Sequence, residues 1–488
     1  MDDEAITEHI RKVELIAATL PTNDASRASP TLANQETISY SLECHNSIKK
    51  RNQLFKIRNK LSLRLEFVFR FLYLFISYLF FSCIFRNDVV NSKYLIRTWL
   101  VDKSFKDKLI SDDYFRENFI DSIKSITYQK PVELYIPLGI NFNLIKFFKY
   151  RKINQYIIFD FLTVKDIVRL FTSYLTKARV KGIKDLVLAS DPPFVFLLAE
   201  IVDQDFFKMR SFQYFLESMV AKKLLKKTRS FFYIFENQSY EQAWLQNKSQ
   251  FTKMYGFQSS GFSKKFFNFF PKELDIQGRL YPEYILTGSP IYTKILKSHF
   301  KKSQILTLGT DRIDWSVNMH SDLESKRKSN KVIVLLPVHF RYYQQVVDSF
   351  SEKFRNKGVE VWYRPHPLNI RKLSCRSLGS FGRIHDPRIN DKNMFSDFRC
   401  CFSFDNSLAF DSLLSGTVTF ELDDVSLYDD SRFLEFNAYD AKVSLKSIFE
   451  YYTRSVELYE MSVVKQQADY CRSFYFSFNK TVLKELLT

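Results

Sequence analysis

The sequence predicts an α/β chain made of two doubly wound units, and three observations carry that expectation. Short, nearly continuous apolar runs end in turn or polar residues, as in "VELYIPLGI" and "SFFYIFENQ". Longer stretches of helical character separate them, such as "FFKMRSFQYFLESMVAKKLL". The same alternation then starts afresh near residue 331 with "KVIVLLPV". A strand that is apolar throughout is buried on both faces, the habit of parallel sheets covered by helices on either side.

The elements follow in order. Residues 1–50 read as a polar tail, with "PTNDASRASPTLANQ" as its most linker-like part. Residues 51–100 form a basic and hydrophobic segment, and 101–298 a first α/β domain with strands in "VELYIPLGI", "QYIIFDFL", "DLVLASDPPF", "SFFYIFENQ" and "YILTG". Residues 299–330 end in a charged stretch and read as the connection between domains. Residues 331–488 form the second domain: strand "KVIVLLPV", helix "RYYQQVVDSFSEKFRNKG" closed by Gly358, strand and loop "VEVWYRPHP", strand "RCCFSFDNS", helix "LAFDSLLSG" closed by Gly416, and strand "TVTFEL". In such sheets ligands sit beyond the carboxyl ends of the strands.

The basic and hydrophobic segment leaves three readings open. After "IKKRNQLFKIRNKLSLR" the uninterrupted apolar part runs from Phe71 to Phe85. As a helix that is roughly 22 Å long, short of the ~30 Å hydrocarbon core of a bilayer. It is therefore a buried or oligomer-forming helix, an interfacial anchor, or a span lengthened through Phe67 with Arg70 snorkelling.

Composition narrows the partner. The chain has 488 residues, 45% of them hydrophobic, with 50 Phe and 27 Tyr but only 11 Gly, which excludes a collagenous or broadly disordered protein. A net charge of +18 favours something anionic: nucleic acid, a phospholipid surface or a phosphorylated small molecule. No zinc spacing or basic recognition helix supports nucleic acid, which is not expected as a partner. Six cysteines without a C-x-x-C pair suit a reducing compartment, and the polar opening "MDDEAITEHI" is unlike a signal peptide, so a cytoplasmic protein is expected.

Two segments carry the candidate chemistry, each after a second-domain strand. In "VWYRPHP" the prolines stiffen a loop that presents Arg364 and His366, an anion-gripping pair. A plain stiffened turn is the competing explanation. In "FSFDNSLAFDSLLSG" the polar residues Asn406 and Ser407 open a helix and Asp411 lies one turn in, where ordinary capping competes with phosphate and ribose binding.

In this order the two segments resemble the donor-binding domain of the GT-B type glycosyltransferases of bacterial surface polysaccharide synthesis. Those enzymes pair a "(K/R)PHP" loop with an "S/N-S-x-x-x-E/D-x-L-x-x-G" helix. Capsule Kdo-transferases, polysialyltransferases and teichoic-acid polyol-phosphate polymerases share the pairing. The first-domain text "YIFENQSYEQAW" and "YGFQSSGFSKKFFNFFPKEL" resembles a group of surface carbohydrate biosynthesis proteins, and the likeness covers most of 131–450. It implies two Rossmann-type domains facing a cleft. It implies further that Arg364 and His366 bind the donor phosphate, that Asn406 and Ser407 extend that site, and that Asp411 holds the ribose. Glu236 would be the general base, with Gln238 and Gln258 on the acceptor side. No D-x-D metal motif is read in the chain, so no metal and no other cofactor is expected.

Two departures stand out: Ser259 replaces a usual histidine, and Asp411 a usual glutamate. Asp191 in "ASDPPF" is an alternative base. The function implied is transfer of a sugar from a nucleotide-activated donor to a lipid-linked surface glycan, the resemblance to Kdo- and sialic-acid-transferring enzymes pointing to a CMP-linked donor. It would proceed with inversion, by a protein peripheral at the inner membrane and its anionic surface. A CDP-polyol phosphotransferase and an inactive assembly scaffold are the alternatives. The first usually needs an acceptor-side histidine, a role that neither His339 nor His385 fills from the sequence.

Overall fold

The computed structural model describes residues 53–84, 92–100, 123–124, 127, 131–137, 151, 153–180, 193–258, 269, 280–309, 323–337, 342–366, 382–386, 394–425, 433, 436–474 and 478–487. Helix α1 (Gln53–Ile84) leads into β1 (Tyr94–Leu100), β2 (Val132–Pro137) and β3 (Gln155–Ile157), then a 3-10 turn at Ile158–Phe161. Helices α2 (Val164–Lys177), α3 (Pro193–Phe207) and α4 (Phe212–Leu224) precede β4 (Ser230–Ile234), α5 (Ser239–Gln246), β5 (Lys253–Gln258) and β6 (Tyr284–Thr287). After α6 (Pro290–His299) come β7 (Gln304–Thr307), α7 (Leu323–Lys328), β8 (Lys331–Leu335), α8 (Tyr343–Phe354), β9 (Glu360–Arg364), β10 (Arg383–Ile384) and β11 (Cys400–Ser403). The chain closes with α9 (Leu408–Leu414), β12 (Val418–Leu422), β13 (Lys442–Val443), α10 (Ile448–Arg454), α11 (Met461–Phe474) and α12 (Lys480–Leu487).

The two expected doubly wound units are present. One sheet has the strand order β3-β2-β1-β4-β5-β6-β7 and the other β10-β9-β8-β11-β12-β13. Every pairing among the described residues is parallel. Counted within each unit, both begin 3-2-1-4-5-6, the order in which the winding reverses between the first and fourth strands and opens a crevice at their carboxyl ends.

The strands form because their apolar residues serve both faces. Along β4, Phe231 and Tyr233 join one core cluster while Phe232 and Ile234 join the other, the period of two expected of a strand. In β8, Val332 and Val334 face one side and Ile333 and Leu335 the other. Helix ends are marked locally. Thr163 caps α2 by accepting from the Asp166 N–H, and the Asp166 carboxylate accepts the Thr163 N–H in return. Ser289 caps α6, with Pro290 in its first turn.

Several boundaries differ from the sequence reading, among them the strand expected over 155–162, which ends at Ile157 and turns into the 3-10 segment Ile158–Phe161. Strand β1, placed in the 51–100 segment, pairs with both β2 and β4 at the centre of the first sheet. Strand β7, placed in the 299–330 connection, is that sheet's edge. The single helix expected over 206–225 is two, because Met209 takes φ +51 and turns the chain between α3 and α4. Finally, residues 478–487 leave the second unit: Leu483 of α12 is buried with Ile96, Phe232 and Phe257 of the first sheet. The Asn479 N–H reaches the Leu308 carbonyl at 2.6 Å, and the Tyr255 hydroxyl reaches the Leu486 carbonyl at 3.0 Å. The polar tail and the strand expected at "DLVLAS" lie outside the described residues.

Helix α1 is not a core helix: in its apolar stretch, Ser62–Ile84, only 11% is buried. One side nevertheless packs on the first domain. Phe71 and Phe75 meet Phe171 edge to face, Phe67 meets Phe206, and Tyr78 meets Phe159 and Phe212.

Candidate active site

Parallel register assembles the second-domain candidates. Leu335, the last residue of β8, lies opposite both Arg364 at the end of β9 and Ser403 at the end of β11. The loops that follow these strands therefore leave from one edge of the sheet, at the point where the winding reverses. The Pro-His-Pro corner is held by Tyr343: its hydroxyl accepts the His366 N–H at 3.0 Å and donates to the Pro337 carbonyl at 2.9 Å. His366 itself is half-buried.

Arg364 is buried, yet its charge is held in place. Nη1 donates to His385 Nδ1 at 2.8 Å and to the Asp386 carbonyl at 3.1 Å. A guanidinium has no acceptor, so Nδ1 of His385 accepts and carries no proton in this contact. Burial pulls the Arg364 pKa down to about 10, against the opposing pull of the Asp386 and Asp411 carboxylates. Asp411 thus acts on the same guanidinium from α9, so the loop and the helix share one electrostatic site. His385, considered from sequence only as an acceptor-side group, is instead a partner of the donor-loop arginine.

The polar turn before α9 divides its labour. Asp405 takes φ +47 and sends the chain into the helix. Asn406 is buried: Nδ2 donates to the Leu336 carbonyl at 2.9 Å and Oδ1 accepts the Leu408 N–H at 3.1 Å. Its amide thus ties the β8 and β11 loops together across the switch point. Ser407 and Asp411 are half-buried, and Ser407 makes no side-chain cap bond. Helix α9 has seven residues, too short a dipole to add much to anion binding.

On the first sheet, register again gathers the candidates. Ile234 at the end of β4 lies opposite Phe257, and Gln258 ends β5, so Glu236, Gln238 and Gln258 leave one edge. The turn through them is built by a carboxylate that sequence reading passed over. Glu241 Oε1 accepts the N–H of Glu236 at 2.7 Å and that of Gln238 at 3.0 Å, while Asn237 between them takes φ +54. Burial pushes the Glu241 carboxyl up to about 8. Gly256 of β5 lets this turn sit close: a Cβ there would lie 2.9 Å from Phe235 Cβ.

Glu236 is half-buried and receives the Tyr240 hydroxyl on Oε2 at 2.9 Å. Behind it lies a fully buried polar network. The Arg97 guanidinium sits 3.9 Å from the Trp99 ring centroid and 4.2 Å from that of Tyr240. It pairs in two-pronged fashion with Glu217, at 3.1 and 2.8 Å. Burial alone would lower the Arg97 pKa, but Glu217, joined by Tyr240 and Glu236, outweighs it and holds the group above its usual range. Trp244 Nε1 and Gln213 Nε2 also donate to Glu217.

Other expectations fall differently. The one D-x-D triplet, Asp203-Gln204-Asp205, lies in α3; its carboxylates pair with Arg179 and Arg210. Lys223, in the last turn of α4, is bound to Asp166 and the Phe161 carbonyl. Asp191, Ser259 and His339 lie outside the described residues.

No protein-family model matches the sequence, and no curated protein matches it either. Among solved structures, the wall teichoic acid polymerase TagF, soaked with CDPG, overlaps 90% of this chain and 98% of its own, at 14% identity and a TM-score of 0.42. The calicheamicin glycosyltransferase CalG4 overlaps 82% and 98%, at 9% identity and a TM-score of 0.45. Anabaena HepE, in complex with UDP and glucose, overlaps 81% and 98%, at 8% identity and a TM-score of 0.44. The likeness is one of fold.

Proposed function

We propose that the chain is a glycosyltransferase that moves a sugar from a nucleotide-activated donor to a hydroxyl of a lipid-linked bacterial surface glycan, on the cytoplasmic side of the membrane. One observation carries the reading. The parallel register of β8, β9 and β11 brings Arg364, His366 and the Asn406–Ser407 turn to one edge of the second sheet, at its switch point. That is where doubly wound sheets hold nucleotides.

In the proposed reaction the acceptor oxygen attacks the anomeric carbon while the bond from that carbon to the phosphate oxygen breaks, inverting the centre. A hydroxyl is a poor nucleophile near neutral pH, so Glu236 takes its proton as the new bond forms. The departing nucleotide gathers negative charge, met by the Arg364 guanidinium and the His366 imidazole without a metal ion. Ser407 extends the phosphate site and Asp411 accepts from the ribose. Gln238 and Gln258 belong to the acceptor side. Asn406 acts by holding the loops, since both ends of its amide are engaged within the protein.

Thermal-shift measurements with CMP, CDP, UDP and GDP test the reading, followed by donor turnover in the presence of EDTA. A nucleotide-induced shift that His366→Ala removes is expected, with turnover indifferent to EDTA. Wild-type-like shifts in His366→Ala would remove the donor site from this loop. Release of a polyol phosphate in place of a sugar would reassign the donor to a CDP-polyol, and binding without turnover would leave a scaffold.

A further inference from the structure

Helix α1 has two apolar sides, and among the described residues only one is packed against the first domain. The outer side carries Leu65, Phe69, Leu72, Ile76, Phe80 and Ile84, each between 45% and 71% exposed. Their spacing of three and four keeps them on one stripe of the helix. The neighbouring α2 adds exposed Val164, Val168 and Leu175, with exposed Lys165 and Arg169 among them. From Phe71 to Ile84 no residue is charged, whereas the preceding helical stretch "QLFKIRNKLSLR" contains four cations and no acid.

We infer that α1 lies in the plane of an anionic bilayer's interface, sunk by its outer stripe and fastened to the first domain by its inner one. Charge complementarity selects the occupant. A basic run next to an uncharged apolar stripe, in a chain of net charge +18, matches acidic headgroups above acyl chains. Crossing the bilayer would strip the inner side of its packing on Phe159, Phe171, Phe206 and Phe212, and would break the bond from Arg70 Nη1 to the Lys208 carbonyl at 2.9 Å. The stretch Ser62–Ile84 is long and apolar enough to cross a bilayer, but its charge-free part is only about 21 Å against a ~30 Å core, so a span would have to bury Arg70 or the Arg64–Glu66 turn as well. The docking mode needs no step of the transfer reaction.

The test uses the full chain without nucleotide. It is mixed with vesicles of phosphatidylethanolamine and phosphatidylglycerol, or of phosphatidylcholine alone, and sedimented. Binding to the anionic vesicles is expected, weakened by 0.5 M salt and released by alkaline carbonate. The triple variant Phe69→Asp/Ile76→Asp/Phe80→Asp should bind at least tenfold more weakly, with unchanged circular dichroism and melting temperature because those side chains face outward. The single variant Phe69→Asp, expected to lose several-fold, serves if the triple variant does not fold. Undiminished binding by the folded variants, or retention through carbonate, overturns the proposal. So does light scattering that shows a wild-type dimer, abolished by the variants, in protein that ignores both vesicle types.

Discussion

Tyr240 donates its hydroxyl hydrogen to Glu236 at 2.9 Å while its ring lies over the Arg97 guanidinium. The proposed base is thereby linked, through one phenol, to a charge locked inside the protein. Glu236→Gln should lower transfer by roughly 10²–10⁴-fold while nucleotide binding persists, because only the proton acceptor is lost. Tyr240→Phe keeps the ring and removes one hydrogen bond to a charged group. A fall of about 10-fold to 100-fold in kcat at constant KM, with a displaced pH–rate profile, is expected. An unmoved profile in Tyr240→Phe would show that the phenol is structural only.

The Arg97–Glu217 pair is fully buried, so removing one partner strands the other charge. Glu217→Ala should cost roughly 3–5 kcal/mol of stability by denaturant unfolding. The double change Arg97→Met/Glu217→Leu should recover most of it, since neither charge is left alone. A double variant as unstable as Glu217→Ala argues that Trp244 and Gln213, not the charge pair, account for the loss.

Glu241 makes stability depend on pH. Its carboxyl titrates near 4.5 when unfolded and near 8 in the fold. Between those values the folded state binds more protons than the unfolded one, so this group lowers stability progressively as pH rises from 4.5 to 8. Each unit of separation corresponds to about 1.4 kcal/mol, giving a loss of a few kcal/mol over the window. Glu241→Gln keeps the Oε1 acceptor and should flatten that slope in urea titrations repeated across this pH range.

Asn406 and His366 should separate stability from binding. Asn406→Ala leaves the Leu336 carbonyl without its amide donor, at a cost of about 1–3 kcal/mol. His366→Ala keeps the backbone N–H that Tyr343 accepts, so it should lose nucleotide binding by far more than it loses stability. Nucleotide titrations beside melting curves distinguish the two; a His366→Ala protein that melts early yet binds nucleotide as before contradicts the assignment.

The legible parts of the fold were those whose burial is written in consecutive residues. Strands β4, β8, β9, β11 and β12 read as apolar runs, and Gly358 and Gly416 marked turns at φ +69 and +77. Strand β1 escaped because Arg97 interrupts it, and the Glu217 that lets an arginine stay inside is 120 residues away. The same distance problem hid much of the site. Arg364 and His366 announced themselves through their prolines, but His385 and Tyr343 became partners only by folding. Glu241 was within reach of sequence reasoning: a glutamate three residues after Gln238, opening a helix, has the spacing of a capping box.

Helix α12 ties the order of synthesis to the order of folding. Ile96, Phe232 and Phe257 have no cover from it until residues 478–487 have left the ribosome, although their own strands were made hundreds of residues earlier. A nonsense codon upstream of Asn479 would leave a sticky, half-roofed sheet for proteases and chaperones. Splitting the gene between the two sheets would do the same, so the halves are expected to fold only in each other's company.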